Sequence, residues 1–139
     1  MAGSPSLNTQ FECEYGVVEL VTPLIRRIVA QNPGPFTFKG TGTYIIGRGK
    51  VAVIDPGPYM IDHVEALLAG LDSEEITHQI ITHTHLDHSP AAALIKERAG
   101  APTYGFGAHG SGRFEKGATV EEGGDLEFIP DVTIRHGDV

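Results

Sequence analysis

The sequence predicts an α/β fold in which a mixed sheet is covered by helices on at least one face. Short β-rich runs alternate with helical periods through the middle of the chain, the pattern of a sheet backed by crossover helices. Glycine makes up 18 of 139 residues, well above the average usage of about 7%, so many turns and close backbone approaches are expected. A chain of 139 residues is the length of one domain with one core.

The elements follow in order. Residues 1–15 are polar, small and aperiodic, and are read as a partly ordered lead-in. Residues 16–21 and 24–30 are β-rich runs split by Thr22 and Pro23, and Asn32, Pro33, Gly34 and Pro35 make a loop. Residues 43–46 and 51–54 form a hairpin through Gly47, Arg48, Gly49 and Lys50. The second of these strands runs into Asp55, Pro56, Gly57 and Pro58, which stops any regular element and leaves a carboxylate at a strand end. Met60, Ile61, Val64, Leu67, Leu68 and Leu71 recur at helical spacing, with Gly70 where the helix closes. Residues 76–82 read as a buried strand. A second helix spans 89–99, with Ser89 at the N-cap, Pro90 at the first helical position and Gly100 just past the end. Beyond it come a strand at 101–104, a Gly-rich loop at 105–117, strands at 126–129 and 132–135, and a turn at Gly137, Asp138 and Val139 that reads as the middle of a hairpin.

Composition narrows the function. Hydrophobic residues at 40% and charged ones at 20% fit a soluble globular protein, and a formal net charge of −8 provides no basic footprint for nucleic acid or an anionic membrane. Cys13 is the only cysteine, which excludes an intrachain disulfide and a zinc-thiolate cluster. The first residues lack the basic and apolar regions of an export signal, and no stretch approaches the ~20 apolar residues of a membrane span. A cytoplasmic location is therefore expected.

The chemistry concentrates between the buried strand and the capped helix. His83, His85, Asp87 and His88 put three imidazoles and one carboxylate into six residues. One histidine in a loop needs no explanation, but this density does. Imidazole and carboxylate are the donors that zinc takes outside thiolate sites, and a catalytic ion uses about three protein ligands, leaving a position for water. Four donors point to two metals, each incompletely ligated. A straight strand would send Asp87 and His88 to opposite faces, so the segment has to curl as a loop. The positive end of the following helix favours negative charge beside it.

The spacing of Thr82-His83-Thr84-His85-Leu86-Asp87-His88 resembles the His-x-His-x-Asp-His signature of the metallo-β-lactamase superfamily, and its context agrees: it follows a buried strand, opens a helix, and is preceded by an Asp-Pro-Gly turn at Asp55, Pro56 and Gly57. The resemblance runs from about Gly16 to Val139. It implies the N-terminal half of an αββα sandwich, with residues 16–139 as a truncated part of that domain and its C-terminal half missing from this chain. It implies zinc, two ions in the intact protein, with iron or manganese as alternatives. His83 and His85 would bind the first ion, Asp87 and His88 the second, with Asp87 also helping to hold the nucleophile, and Asp55 would orient a ligand from outside. The segments at 41–47, 52–58 and 88–95 resemble the branch called β-lactamase-like hydrolases. The further histidines and bridging aspartate that complete the family's site have no matching motif here.

His109, in the glycine-rich loop, is placed to line the pocket. His136 reads as a strand edge entering a turn, and His63 and His78 as structural or exposed. The activity implied for the intact protein is hydrolysis by a metal-bound hydroxide, acting on a small-molecule ester, thioester or lactone; residues 1–139 alone, short of ligands, are expected to bind metal weakly and to have little activity. RNA cleavage by the same fold is the alternative, and redox chemistry with iron or a non-catalytic truncated fragment are the readings outside hydrolysis.

Overall fold

A computed structural model describes residues 6, 8–111 and 123–139. Among the described residues, seven strands form one sheet whose order in space is their order in sequence. Strands β1 (Glu19–Thr22), β2 (Ile25–Val29), β3 (Gly42–Arg48) and β4 (Lys50–Ile54) make an antiparallel meander. From β4 the pattern changes: β5 (Glu75–Ile80), β6 (Thr103–Gly105) and β7 (Val132–Thr133) each run parallel to the strand before. Parallel neighbours need a crossover, and α1 (Ile61–Gly70) and α2 (Ala91–Ala99) supply the first two.

The helices bury one face of the sheet. Ile28, Ile45, Val51, Val53 and Ile76 of the strands pack with Val64, Leu67, Leu94 and Ile95 of the helices in one core. Alternation places Tyr44, Ile46, Ala52 and Ile54 on the opposite face, and a bulge at Thr77, where the register with β4 shifts, brings His78 and Ile80 to that face as well; all six are half-buried or exposed. The architecture is a mixed sheet flanked by helices, as the alternation of periods predicts. Residues 8–18 precede it without strand or helix, with the Phe11 ring under the Arg27 guanidinium, the Tyr15 hydroxyl donating to the Lys39 carbonyl and Val18 packed against the core.

Several details depart from the expectations. The strand expected at 76–82 is Glu75–Ile80, so Ile81 and Thr82 already belong to the loop, and the one expected at 101–104 is Thr103–Gly105. The β3–β4 connection is tighter than four residues, because Arg48 and Lys50 pair directly across Gly49, whose φ of 75° makes so short a turn affordable. Ser89 is not the N-cap. Helix α2 begins after Pro90, its Ala91 amide donates to the Gly57 carbonyl, and the Ser89 hydroxyl is drawn away to the Asp125 carboxylate at 2.7 Å. Residues 126–129 form no strand: the Asp125 side chain accepts from the Glu127 amide, bending the chain so that Leu126 and Ile129 face outward while Phe128 is buried. Strand 132–135 shrinks to Val132–Thr133. At the far end of α2, Gly100 does sit in the left-handed region as expected. Residues 112–117 of the expected loop, and 1–5 and 7 of the lead-in, lie outside the described residues.

Candidate metal centre

Because β4 and β5 are parallel, both finish at the same edge of the sheet, and this brings Asp55 beside the loop that follows β5. The ladder continues one step past β4, with the Asp55 amide donating to the Ile80 carbonyl. Asp55 then turns sharply, at φ 51°, a left-handed conformation that aspartate and asparagine tolerate better than other side chains. That turn directs its carboxylate at the loop. Oδ1 accepts the Thr82 amide at 2.8 Å, and Oδ2 accepts the Thr82 hydroxyl at 2.5 Å and faces His88 Nδ1 at 3.0 Å.

The loop curls as required. His83 packs against both His85 and His88, with ring centroids 5.0 Å and 3.9 Å away. His88 uses both nitrogens, Nδ1 toward Asp55 and Nε2 toward Asp87 Oδ2 at 3.2 Å. Two groups of donor atoms result, Asp55 with His83 and His88, and His83 with His85 and Asp87, each gathered within 4.8 Å. Small rotations of the rings close such a span around an ion held at about 2.0–2.2 Å. Imidazole and carboxylate at this density fit a divalent metal. The grouping differs from the pairing expected from sequence in that His83 stands between the two sets.

Electrostatics follow from the packing. Burial raises the Asp55 carboxyl, but hydrogen bonds from His88 and Thr82 outweigh it and hold the group below its ordinary value of 3.8. For His88 burial works downward, and the bond to Asp55 reverses this and lifts the imidazole above 6.5. His83 is lowered, first by burial and then by the neighbouring His88 charge.

A cavity of about 540 Å³ opens beside the loop, lined among others by His83, His85, Phe106, His109 and Phe128. His109 is thus in the pocket wall. Its Nδ1 lies 2.8 Å from the Thr84 hydroxyl and 3.1 Å from the Thr84 carbonyl, and its ring rests on Gly124, where an added Cβ would come within 2.3 Å of Nε2. His136 stands exposed in the last turn, and His78 is exposed against Tyr104. His63 is buried under the Asp55 turn.

Sequence reasoning missed several supports. Asp125 is buried, holds Ser89, and donates its amide to the Thr84 carbonyl, while Leu86 donates to Gly123 and so ties the loop to residues 123–125. No local period announces contacts made across 36 residues. The alternating Thr82 and Thr84 hydroxyls were the one available signal, since each lies beside a histidine in sequence.

The fold and this edge define an α/β protein that gathers imidazoles and carboxylates where two parallel strands end. The chain belongs to the metallo-beta-lactamase superfamily, whose family model matches residues 37–139. It is 43% identical over 75 residues to an "Atrochrysone carboxyl ACP thioesterase" of Claviceps purpurea (strain 20.1), covering 52% of this chain and 24% of that protein. It is 40% identical over 75 residues to "Beta-lactamase-like protein 2 homolog" of Caenorhabditis elegans, covering 51% and 25%. Among solved structures it is similar to BJP-1, a subclass B3 metallo-beta-lactamase of Bradyrhizobium japonicum, with a TM-score of 0.55, 21% identity, and coverage of 82% of this chain and 43% of that one, a likeness of fold alone. The chain spans about a quarter of the length of the curated relatives it matches. Among the described residues, no helix is long and apolar enough to cross a membrane.

Proposed function

We propose that this chain carries the metal-binding part of a metal-dependent hydrolase acting on ester or thioester substrates, with lactones in the same class. The observation that carries the reading is the gathering of donor atoms from His83, His85 and Asp87, and from Asp55, His83 and His88, beside a 540 Å³ cavity that His83 and His85 line. Asp55 accepts from His88 Nδ1, which leaves Nε2 for an ion, with Asp87 Oδ2 3.2 Å from that nitrogen. In this reading Asp87 and His88 hold one ion and His83 and His85 the other, with His83 near enough to both donor groups to serve either. Zinc, two ions, suits this donor set. Such an ion supplies Lewis acidity toward the scissile carbonyl and makes a water nucleophilic near neutral pH.

The residues around it divide the remaining work. In this reading Asp87 holds the attacking water, while His109 and Phe106, which line the cavity, bound the substrate, and Phe128 and Ile81 keep its wall apolar. The several matched thioesterases favour an acyl substrate. The charge of −8 weighs against RNA, which stays the alternative. Residues 16–139 are proposed as the N-terminal part of a larger domain, in keeping with relatives about four times the matched length. A cytoplasmic site of action fits the single cysteine.

The test is zinc titration by calorimetry on this chain and on the full-length protein, followed by hydrolysis of an aryl ester, an acyl thioester and a single-stranded RNA with the zinc-loaded full-length protein, and His85→Ala as the control. Zinc-dependent cleavage of the thioester, lost in His85→Ala, is the expected result. Cleavage of RNA alone would move the substrate assignment, and zinc binding undiminished in His85→Ala would overturn the site.

A further inference from the structure

His63 takes no part in the loop, yet it lies directly beneath the turn that aims Asp55. It projects from the first turn of α1 and is 5% exposed. Its Nε2 is 3.0 Å from the Pro56 carbonyl and 3.1 Å from Thr43 Oγ. A carbonyl only accepts, and the Thr43 hydroxyl spends its hydrogen on the Asp55 carbonyl at 2.7 Å. Both neighbours therefore require the proton on Nε2. Nδ1 is then the bare nitrogen, and among the described residues it is buried with no partner. A leucine would fill that space without leaving an orphaned atom, so packing alone does not explain an imidazole here.

The contacts converge on one target. Pro56 is bonded directly, Asp55 is reached through Thr43, and Gly57 lies against the ring so closely that a Cβ would come within 3.1 Å of Nε2. These three residues form the turn, and Gly57 donates its amide to the His88 carbonyl. Asp55 is held at positive φ, which persists only where the surroundings over-determine it.

We propose that His63 is a positioning residue of the metal centre: through Thr43 and the Pro56 carbonyl it fixes the 55–57 turn, and with it the Asp55 carboxylate that orients His88. The metal half of this inference rests on the function proposed above, whereas the Asp55–His88 geometry does not.

The experiment uses the metal-free chain labelled with 15N. In the wild type the His88 Nδ1 proton, bonded to Asp55, gives a downfield imidazole signal. His63→Leu removes the donor and should lose or shift that signal, and should weaken zinc binding, read by calorimetry, by roughly 10-fold or more. His63→Gln places an amide N–H near the Nε2 position and should restore both. Thr43→Val deletes only the hydroxyl between His63 and Asp55, should act in the same direction, and decides the matter if His63→Leu does not fold. A His63→Leu protein that is merely less stable, with the His88 signal and zinc affinity of the wild type, overturns the proposal. If the wild type binds no zinc but the His88 signal still depends on His63, the metal reading fails and the positioning role stands.

Discussion

Replacing Asp55 by Asn tests the centre at the point where it is most constrained. Asparagine tolerates the φ of 51° nearly as well as aspartate, so the backbone is not the variable. Its amide oxygen still accepts the Thr82 N–H, but the nitrogen now faces Thr82 Oγ and His88 Nδ1, where a carboxylate oxygen accepted at 2.5 and 3.0 Å. The threonine hydroxyl can rotate to accept instead; the histidine contact is lost. Removing one charge-assisted hydrogen bond and weakening a second costs about 2–3 kcal/mol. At about 2.1 cal/mol/K per residue of unfolding entropy, that lowers Tm by roughly 7–10 °C.

The pH dependence has a defined sign. The folded Asp55 carboxyl lies below 3.8, so its contribution is present above that value and lost as pH falls through it. The folded His88 imidazole lies above 6.5, so its contribution is complete below 6.5 and lost as pH rises through the raised value. Urea unfolding of wild type and Asp55→Asn at pH 3, 5.5 and 9 should therefore show the largest difference at pH 5.5. A difference under about 0.5 kcal/mol there, or one that grows toward pH 9, would refute the reasoning.

Further predictions concern the frame around the site. Ile95→Ala, at a fully buried position between α2 and the sheet, should destabilise the chain by roughly 3 kcal/mol in urea unfolding, and a loss below about 1 would show that the core can close over the cavity. Gly124→Ala would drive a methyl to 2.3 Å from His109 Nε2; the ring has to leave Thr84, and its NMR shifts should move while those of the distant His78 do not. Arg26 and Glu74 form a bidentate pair at 2.5 and 2.8 Å that also receives the Gly49 amide, and this guanidinium holds the Glu74 carboxyl at about 2. That contribution is present above the ordinary value of 4.5 and is lost as pH falls toward 2, so Glu74→Gln should flatten the acid limb of the stability curve. An unchanged limb would assign the acid sensitivity to other carboxylates.

Much of this was legible because the informative signals are local. The two helices, the meander and the strand–loop–helix unit each lie in one uninterrupted stretch, and the His83 to His88 cluster is contiguous. The Asp55 contact could also be argued from sequence, since parallel strands put their ends together. What escaped depends on partners distant in the chain. Ser89 has the identity of an N-cap, but a carboxylate 36 residues away competes for its hydroxyl and wins. Leu126 and Ile129 have the composition of a strand, but Asp125 bends the backbone there. His63 looked unremarkable because the Asp-Pro-Gly turn folds back onto the first turn of a helix whose period explains Val64 and Leu67 and is silent about the histidine beside them.

The order of the sheet bears on how the chain can be assembled. Every strand pairs with its predecessor in sequence, so during synthesis from the N-terminus each new strand finds its partner already made, and no earlier edge has to wait for a later insertion. Loop closures are short within the β1–β4 meander, which favours its early folding, whereas the parallel pairs from β4 onward close over the intervening helices and loops and form more slowly. The histidine loop is an exception in one respect only. Asp55 emerges first and holds an unpaired carboxylate at a strained turn until residues 82–88 arrive, and the Ser89 hydroxyl waits in turn for Asp125. The proposed ligand set is therefore the last part of this region to acquire its final shape, and a ribosome-bound chain ending before Gly123 would lack the contacts that residues 123–125 make with the histidine loop.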